Sequence, residues 1–186
     1  MIEPFAVWLT GVPASGKSTL ARALADEFQA RGIRPAILES DALRAVLTPH
    51  PRFDEEEREV FYGALLHIGT LLVDHGVPVL FDATANLRRY RDRARERIPR
   101  FFEVFVHCPI DVCRARDPKG LYRRAAEGAI GSLPGAGGVY EPPLHPEFLV
   151  RSDRESPPEA ARRLAGAILT EVREPASPRA PTSSAG

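Results

Sequence analysis

Lysine is nearly missing from this 186-residue chain. Of 25 basic residues, Lys17 and Lys119 are the two lysines, and the other 23 are arginine. A GC-rich coding sequence drifting towards Arg, Ala, Pro and Gly accounts for the arginines. It leaves open why two positions stayed lysine. An excess of charge is missing too: 25 acidic residues balance the 25 basic ones. That balance argues against a chain whose main task is coating nucleic acid or an anionic membrane. No apolar run reaches the roughly 18–20 residues that a membrane span needs. The start Met1-Ile2-Glu3-Pro4 lacks the basic residues and apolar stretch of a signal peptide. Cysteine is limited to Cys108 and Cys113, without CxxC spacing and too few for a zinc site. Both read as free thiols of a cytoplasmic chain. No internal repeat is visible.

What is present suits one domain with a core: the apolar fraction is 44%. Strand and helix signals alternate. Apolar runs at Phe5–Thr10, Arg34–Glu39, Val77–Phe81, Phe101–His107 and Phe148–Val150 predict five strands. Helical spacing covers Lys17–Arg31, Asp41–Leu47, Asp54–His75, Leu87–Ile98, Asp111–Arg116 and Pro157–Val172. Near-continuously apolar strands alternating with helices predict an α/β fold, a mostly parallel five-stranded sheet covered on both faces. Residues 1–173 form the expected domain, and the segment 174–186 (EPASPRAPTSSAG) is expected to be disordered. In such sheets ligands bind beyond the carboxyl ends of the strands, here after Thr10, Glu39, Phe81 and His107.

The first of these ends carries Gly11-Val12-Pro13-Ala14-Ser15-Gly16-Lys17-Ser18, which fits G-x-x-x-x-G-K-[ST] between a strand and a helix. Glycines let the loop wrap closely, so that backbone N–H groups converge on phosphate oxygens at a helix N-terminus. Lys17 is placed to reach the β/γ-phosphates as a compact charge, and Ser18 to ligate Mg²⁺. Guanine readers carry N-K-x-D or T-K-x-D. Lys119 sits in Asp117-Pro118-Lys119-Gly120-Leu121, with no Asp two residues on, so ATP is the expected donor.

Asp41, after the second strand, suits a base for an acceptor hydroxyl or a water-mediated hold on Mg²⁺; it also suits a helix N-cap. Arg44, one turn on, could clamp an anionic acceptor. Asp82 ends an apolar strand as a metal-holding carboxylate does, or caps the next helix. The arginine-dense stretch 88–100 reads mostly as a solvated face, with Arg88 the member nearest substrate. The segment 117–146 has little regular structure beyond a helical patch at 121–127. It reads as a lid carrying Lys119, Arg123 and Arg124, or as a basic loop.

With Glu103-Val104-Phe105-Val106, Arg116-Asp117-Pro118-Lys119-Gly120-Leu121-Tyr122, Gly128-Ala129-Ile130 and Tyr140-Glu141-Pro142-Pro143 in view, the chain resembles the adenylylsulfate (APS) kinases from about Phe5 to Val172. The resemblance implies a P-loop kinase fold and transfer of phosphate from ATP, with Mg²⁺, to the 3′-hydroxyl of APS. It implies Asp41, Lys17 and Lys119 as catalytic residues. It implies ATP contacts at Gly11, Ala14, Ser15, Gly16, Lys17, Ser18, Thr19 and Arg116. Acceptor contacts fall to Asp41, Arg44, Phe53, Arg58, Arg88, Lys119 and Leu133, with Phe53 stacking on adenine; metal contacts fall to Ser18, Asp41 and Asp82. A homodimer in the cytoplasm is implied as well, with neither nucleic acid nor membrane as partner.

There are departures. The family's Asp-Gly-Asp reads Glu39-Ser40-Asp41, and its Asn and paired arginines after Arg58 are replaced by Phe61, Gly63 and Ala64. Its Phe-Ile-Ser-Pro reads Ala83-Thr84-Ala85-Asn86, so the phosphate-meeting Ser is Ala85. Leu133 stands for the second adenine-stacking Phe. Asp82-Ala83-Thr84-Ala85-Asn86 also resembles the Asp-x-Thr-Asn strand end of small kinases such as polynucleotide kinase. An APS-kinase-like transferase for another hydroxyl acceptor (nucleoside, sugar or antibiotic) therefore stays open at this point, as does a nucleotide-binding regulator without transferase activity.

Overall fold

The computed structural model describes residues 2–129 and 133–173. The motif residue Ile130 and the expected tail 174–186 lie outside the described residues.

Five strands form one parallel sheet in the order β2-β3-β1-β4-β7: β1 (Ala6–Thr10), β2 (Ala36–Glu39), β3 (Val79–Asp82), β4 (Phe101–His107) and β7 (Phe148–Arg151). A separate pair of two-residue strands, β5 (Leu133–Pro134) and β6 (Gly137–Gly138), lies between β4 and β7 in the chain. The sequence reading missed this pair, whose two-residue strands are too short to show a periodicity.

The helices are α1 (Lys17–Gln29), α2 (Ser40–Leu47), α3 (Glu55–Asp74), α4 (Arg88–Arg97), α5 (Ile110–Arg116), α6 (Leu121–Ala126) and α7 (Pro157–Arg173). Leu20, Leu24 and Phe28 of α1 pack with Leu164, Ile168 and Val172 of α7 under Val7, Leu9, Val104 and Val106. On the opposite face Phe61, Leu65 and Tyr90 of α3 and α4 meet Trp8, Phe81 and Phe101. β1 is central and feeds alternate side chains to both layers, which is why all five of its residues are buried. Trp8 stacks on Phe81 at 4.5 Å and donates its indole N–H to the Ala83 carbonyl at 3.0 Å. Gly69 lets α3 lie directly on that pair: a Cβ there would stand 2.1 Å from the Phe81 ring.

The ends of the helices follow local chemistry. Asp54 accepts the Glu57 N–H ahead of the three glutamates that open α3. Ahead of α7 the Glu159 carboxylate reaches back to Ser156, accepting from its N–H at 3.1 Å and from its hydroxyl at 2.6 Å. In the sheet register Leu9 sits beside Asp82, and Asp82 beside Glu39. Three strand ends thereby open onto one edge, where the phosphate-loop sequence and both acceptor-side carboxylates emerge.

Candidate active site

The loop Gly11–Gly16 joins β1 to α1. Gly16, just before the helix, takes a left-handed conformation (φ 97°, ψ 9°), and Ala14 adopts φ 60° within the loop. At Gly11 a Cβ would lie 2.4 Å from the Val106 carbonyl oxygen, so the loop can start only on a glycine. Helix α1 presents its first N–H groups into the loop. Lys17 folds back and donates to the carbonyls of Gly11 and Val12, both at 2.9 Å. Burial pulls its pKa down to about 8, against the opposing pull of the Asp82 and Asp41 carboxylates. The Ser15 hydroxyl is buried in the same loop and finds no protein partner.

A cavity of about 440 Å³ opens above the loop. Lys17, Ser18, Thr19, Asp41, Asp82, Thr84, Arg116 and Lys119 all line it. Ser18 hydrogen-bonds to Asp82, whose carboxyl is pushed up by burial. Asp82 therefore does not cap α4, which begins without a side-chain cap. Among the described residues no group of three or more His, Cys, Asp or Glu side chains could hold a metal by itself. A hydroxyl beside one carboxylate nonetheless fits Mg²⁺, which takes most of its ligands from phosphate and water. Asp41 lies in the first turn of α2, whose N-cap is Glu39, so the N-cap reading of Asp41 is corrected. Its carboxylate pairs with Lys119, and that contact holds the Lys119 ammonium above its ordinary pKa. The two lysines of the chain thus line one cavity, 102 positions apart in sequence. At the far side Arg116 donates to the Ser152 carbonyl at 2.8 Å.

The acceptor candidates form a neighbouring cluster. Arg44 is ion-paired with Glu57 at 2.8 Å and lies over Phe61 at 3.8 Å and Phe53 at 5.1 Å. Arg58 donates to the Phe53 carbonyl at 2.8 Å and lies 5.6 Å from the Phe53 ring. Phe53 itself takes φ 59°, costly for a bulky residue, and is 40% exposed beside the two guanidinium groups. Two acceptor candidates are not brought here. Arg88 is spent on the Pro142 carbonyl at 2.9 Å. Leu133 is buried with Cys108, Cys113 and Tyr122 on the shoulder of the phosphate loop, as its apolar side chain favours.

The stretch after α5 touches the phosphate loop at two points. Tyr122 donates to the Pro13 carbonyl at 2.9 Å, and Gly135 leaves room for Val12: a Cβ there would come within 2.9 Å. The arginine-dense helix α4 is not simply a solvated face. Arg89 and Arg93 pair with Glu55 and Glu59 of α3, and Arg91 is fully buried. The sequence reading left Arg91 within a mostly solvated basic stretch, although Leu87, Arg91, Ala94 and Ile98 share one helical face and the last three are buried.

A parallel sheet ending in such a loop, with a carboxylate on the adjacent strand, is the construction of the P-loop phosphotransferases, and the chain is of that class. Comparison with known proteins narrows it. The family model for adenylylsulphate kinase matches residues 3–151. A probable adenylyl-sulfate kinase of Pyrococcus abyssi is 41% identical over 160 residues, which are 86% of this chain and 92% of that protein. An adenylyl-sulfate kinase of Burkholderia ambifaria is 42% identical over 157 residues, 83% and 87% of the two chains. Among solved structures, the Mycobacterium tuberculosis APS kinase in complex with AMPPNP and APS superposes with a TM-score of 0.84 at 34% identity, over 91% of this chain and 99% of that one. This chain belongs to the adenylylsulfate kinase family.

Proposed function

We propose that the chain transfers the γ-phosphoryl group of ATP to the 3′-hydroxyl of APS, giving 3′-phosphoadenylylsulfate and ADP. One observation carries the reading: α2 spans both halves of a two-substrate site. Its first turn places Asp41 in the cavity with Lys17 and Ser18, and one turn later Arg44 lies over Phe53.

The roles follow from position. The loop N–H groups and Lys17 hold the triphosphate. Ser18 and Asp82 would hold Mg²⁺, which when bound neutralises charge on the phosphate oxygens. Phe53 offers an aromatic face for the adenine of the acceptor, with Arg44 and Arg58 beside it for the anionic end. Asp41 accepts the proton of the attacking hydroxyl, while Lys119 stays close enough to meet the charge that develops on the transferring group. Much of the altered stretch 83–86 is engaged inside the fold, while Thr84 also lines the cavity. The Thr84 carbonyl accepts from Thr10 at 2.6 Å, the Ala85 N–H donates to Tyr62 at 3.0 Å, and the Asn86 amide donates to Val139 at 3.2 Å.

The division into a kinase domain 1–173 with a lid at about 117–146, a homodimeric state and a cytoplasmic location belong to the same proposal. Among the described residues no helix is long and apolar enough to cross a membrane. Coupled ADP release with APS, nucleosides and sugars as rival acceptors tests the reading. Turnover with APS is expected; turnover of another acceptor with none of APS would overturn it.

A further inference from the structure

Among the described residues Arg91 is the largest charged side chain withdrawn from solvent, 1% exposed, and its ion pair with Glu103 at 2.8 Å is buried with it. Burying such a pair is a poor way to gain stability, because desolvation opposes the attraction. The other nitrogens of the guanidinium indicate another use. Nη1 donates to the Thr10 hydroxyl at 2.9 Å and to the Ala85 carbonyl at 2.8 Å; Nη2 donates to the Glu141 carbonyl at 2.7 Å. These three oxygens belong to three separate segments, and each segment adjoins the site.

Thr10 is the residue before Gly11. Its one proton goes to the Thr84 carbonyl at 2.6 Å, so its lone pairs accept from Arg91 and from the Tyr140 hydroxyl at 3.1 Å. The hydroxyl is saturated and can sit in one orientation only. Ala85 holds φ 43°, a left-handed conformation unusual for alanine, and is clamped at both ends: Tyr62 takes its N–H and Arg91 its carbonyl. The next residue, Asn86, accepts from Arg58 at 3.3 Å beside the Phe53 platform. Glu141 lies in the closing part of the lid segment, and its N–H donates to the Asn86 carbonyl at 2.7 Å.

We infer that Arg91 is a positioning residue for phosphoryl transfer, its guanidinium fork holding the start of the phosphate loop, the loop after Asp82 and the closing part of the lid segment in one register. The inference rests on the kinase reading above but not on the identity of the acceptor. A lysine at position 91 could still face Glu103, yet it lacks the planar fork that serves three oxygens at once.

The test compares Arg91→Lys with Glu103→Gln by thermal unfolding and steady-state kinetics, using whichever acceptor the wild-type protein turns over. If no acceptor serves, slow transfer to water is followed instead. Failure with APS alone thus counts against the functional reading and leaves this comparison intact. Arg91→Lys is expected to lower kcat by about 30- to 100-fold with KM for ATP within about threefold, as small misplacements of reacting groups do. Glu103→Gln, which keeps the three donations, is expected to lower Tm at least as much as Arg91→Lys does while kcat stays within about threefold. If kcat of Arg91→Lys stays within threefold of wild type, or if both variants lose kcat in parallel with Tm, Arg91 is structural and the inference falls. Should Arg91→Lys fail to fold, Thr10→Val decides: a kcat at least about tenfold lower is expected, and an unchanged kcat overturns the inference.

Discussion

Replacing Lys17 with methionine should make the free protein more stable at neutral pH while abolishing transfer. Burial lowers the Lys17 pKa from 10.5 to about 8. Holding that ammonium charged at pH 7 therefore destabilises the fold by about 3 kcal/mol. Methionine fills a similar volume without the charge. It forfeits the two donations to the Gly11 and Val12 carbonyls, worth about 1 kcal/mol each, so the expected net gain is about 1 kcal/mol. For a domain of this size that raises Tm by roughly 2–4 °C. The dependence on pH runs the other way. Between pH 8 and 10.5 the unfolded lysine still binds a proton that the native one has released, so wild-type stability rises with pH across that window. The advantage of Lys17→Met should shrink above pH 8, vanish near pH 9 and become a deficit by pH 10, where mainly its lost hydrogen bonds remain. Thermal or urea unfolding of both proteins at pH 7, 8.5 and 10, without nucleotide, measures it. A variant less stable than wild type at pH 7, or a gap that ignores pH, would refute the reasoning.

Three further outcomes are expected. Asp41→Asn should reduce kcat by about 10²- to 10⁴-fold, with KM for ATP within about threefold, in a steady-state assay. Lys119→Arg keeps an exposed ion pair of the kind worth at most about 1 kcal/mol, so Tm should move by less than about 3 °C while kcat falls roughly tenfold. Phe53→Leu should raise KM for APS by about 1–3 kcal/mol, roughly 5- to 150-fold, and leave KM for ATP unchanged, because only the aromatic face is removed.

The parts of the fold written in local pattern were legible. The five main strands and the helices fall within a residue or two of their expected bounds. β2 begins at Ala36 rather than Arg34 because its partner β3 offers only Val79–Asp82 to pair with. The phosphate loop was legible for the same reason: its chemistry is contiguous. What stayed hidden depends on distant pairing. Arg91 shares a face with Leu87, Ala94 and Ile98, a spacing that marks a buried position, yet the density of arginine around it suggested a wet surface. Its partners Thr10, Glu103 and Glu141 lie elsewhere in the sequence, and no local rule joins them. Tyr122 on Pro13 is likewise a contact across 109 positions. The scarcity of lysine was the exception, a count that needed no pairing to notice, and both lysines line the same cavity.

The most direct test of the account is to locate the phosphate on the product. Purified protein, γ-labelled ATP, Mg²⁺ and an equimolar mixture of APS, nucleosides and sugars are incubated, and the labelled product is separated and mapped. The account predicts label on the 3′-oxygen of APS, lost when Asp41 is replaced by asparagine. Label on another acceptor, or on APS at a different oxygen, would contradict it.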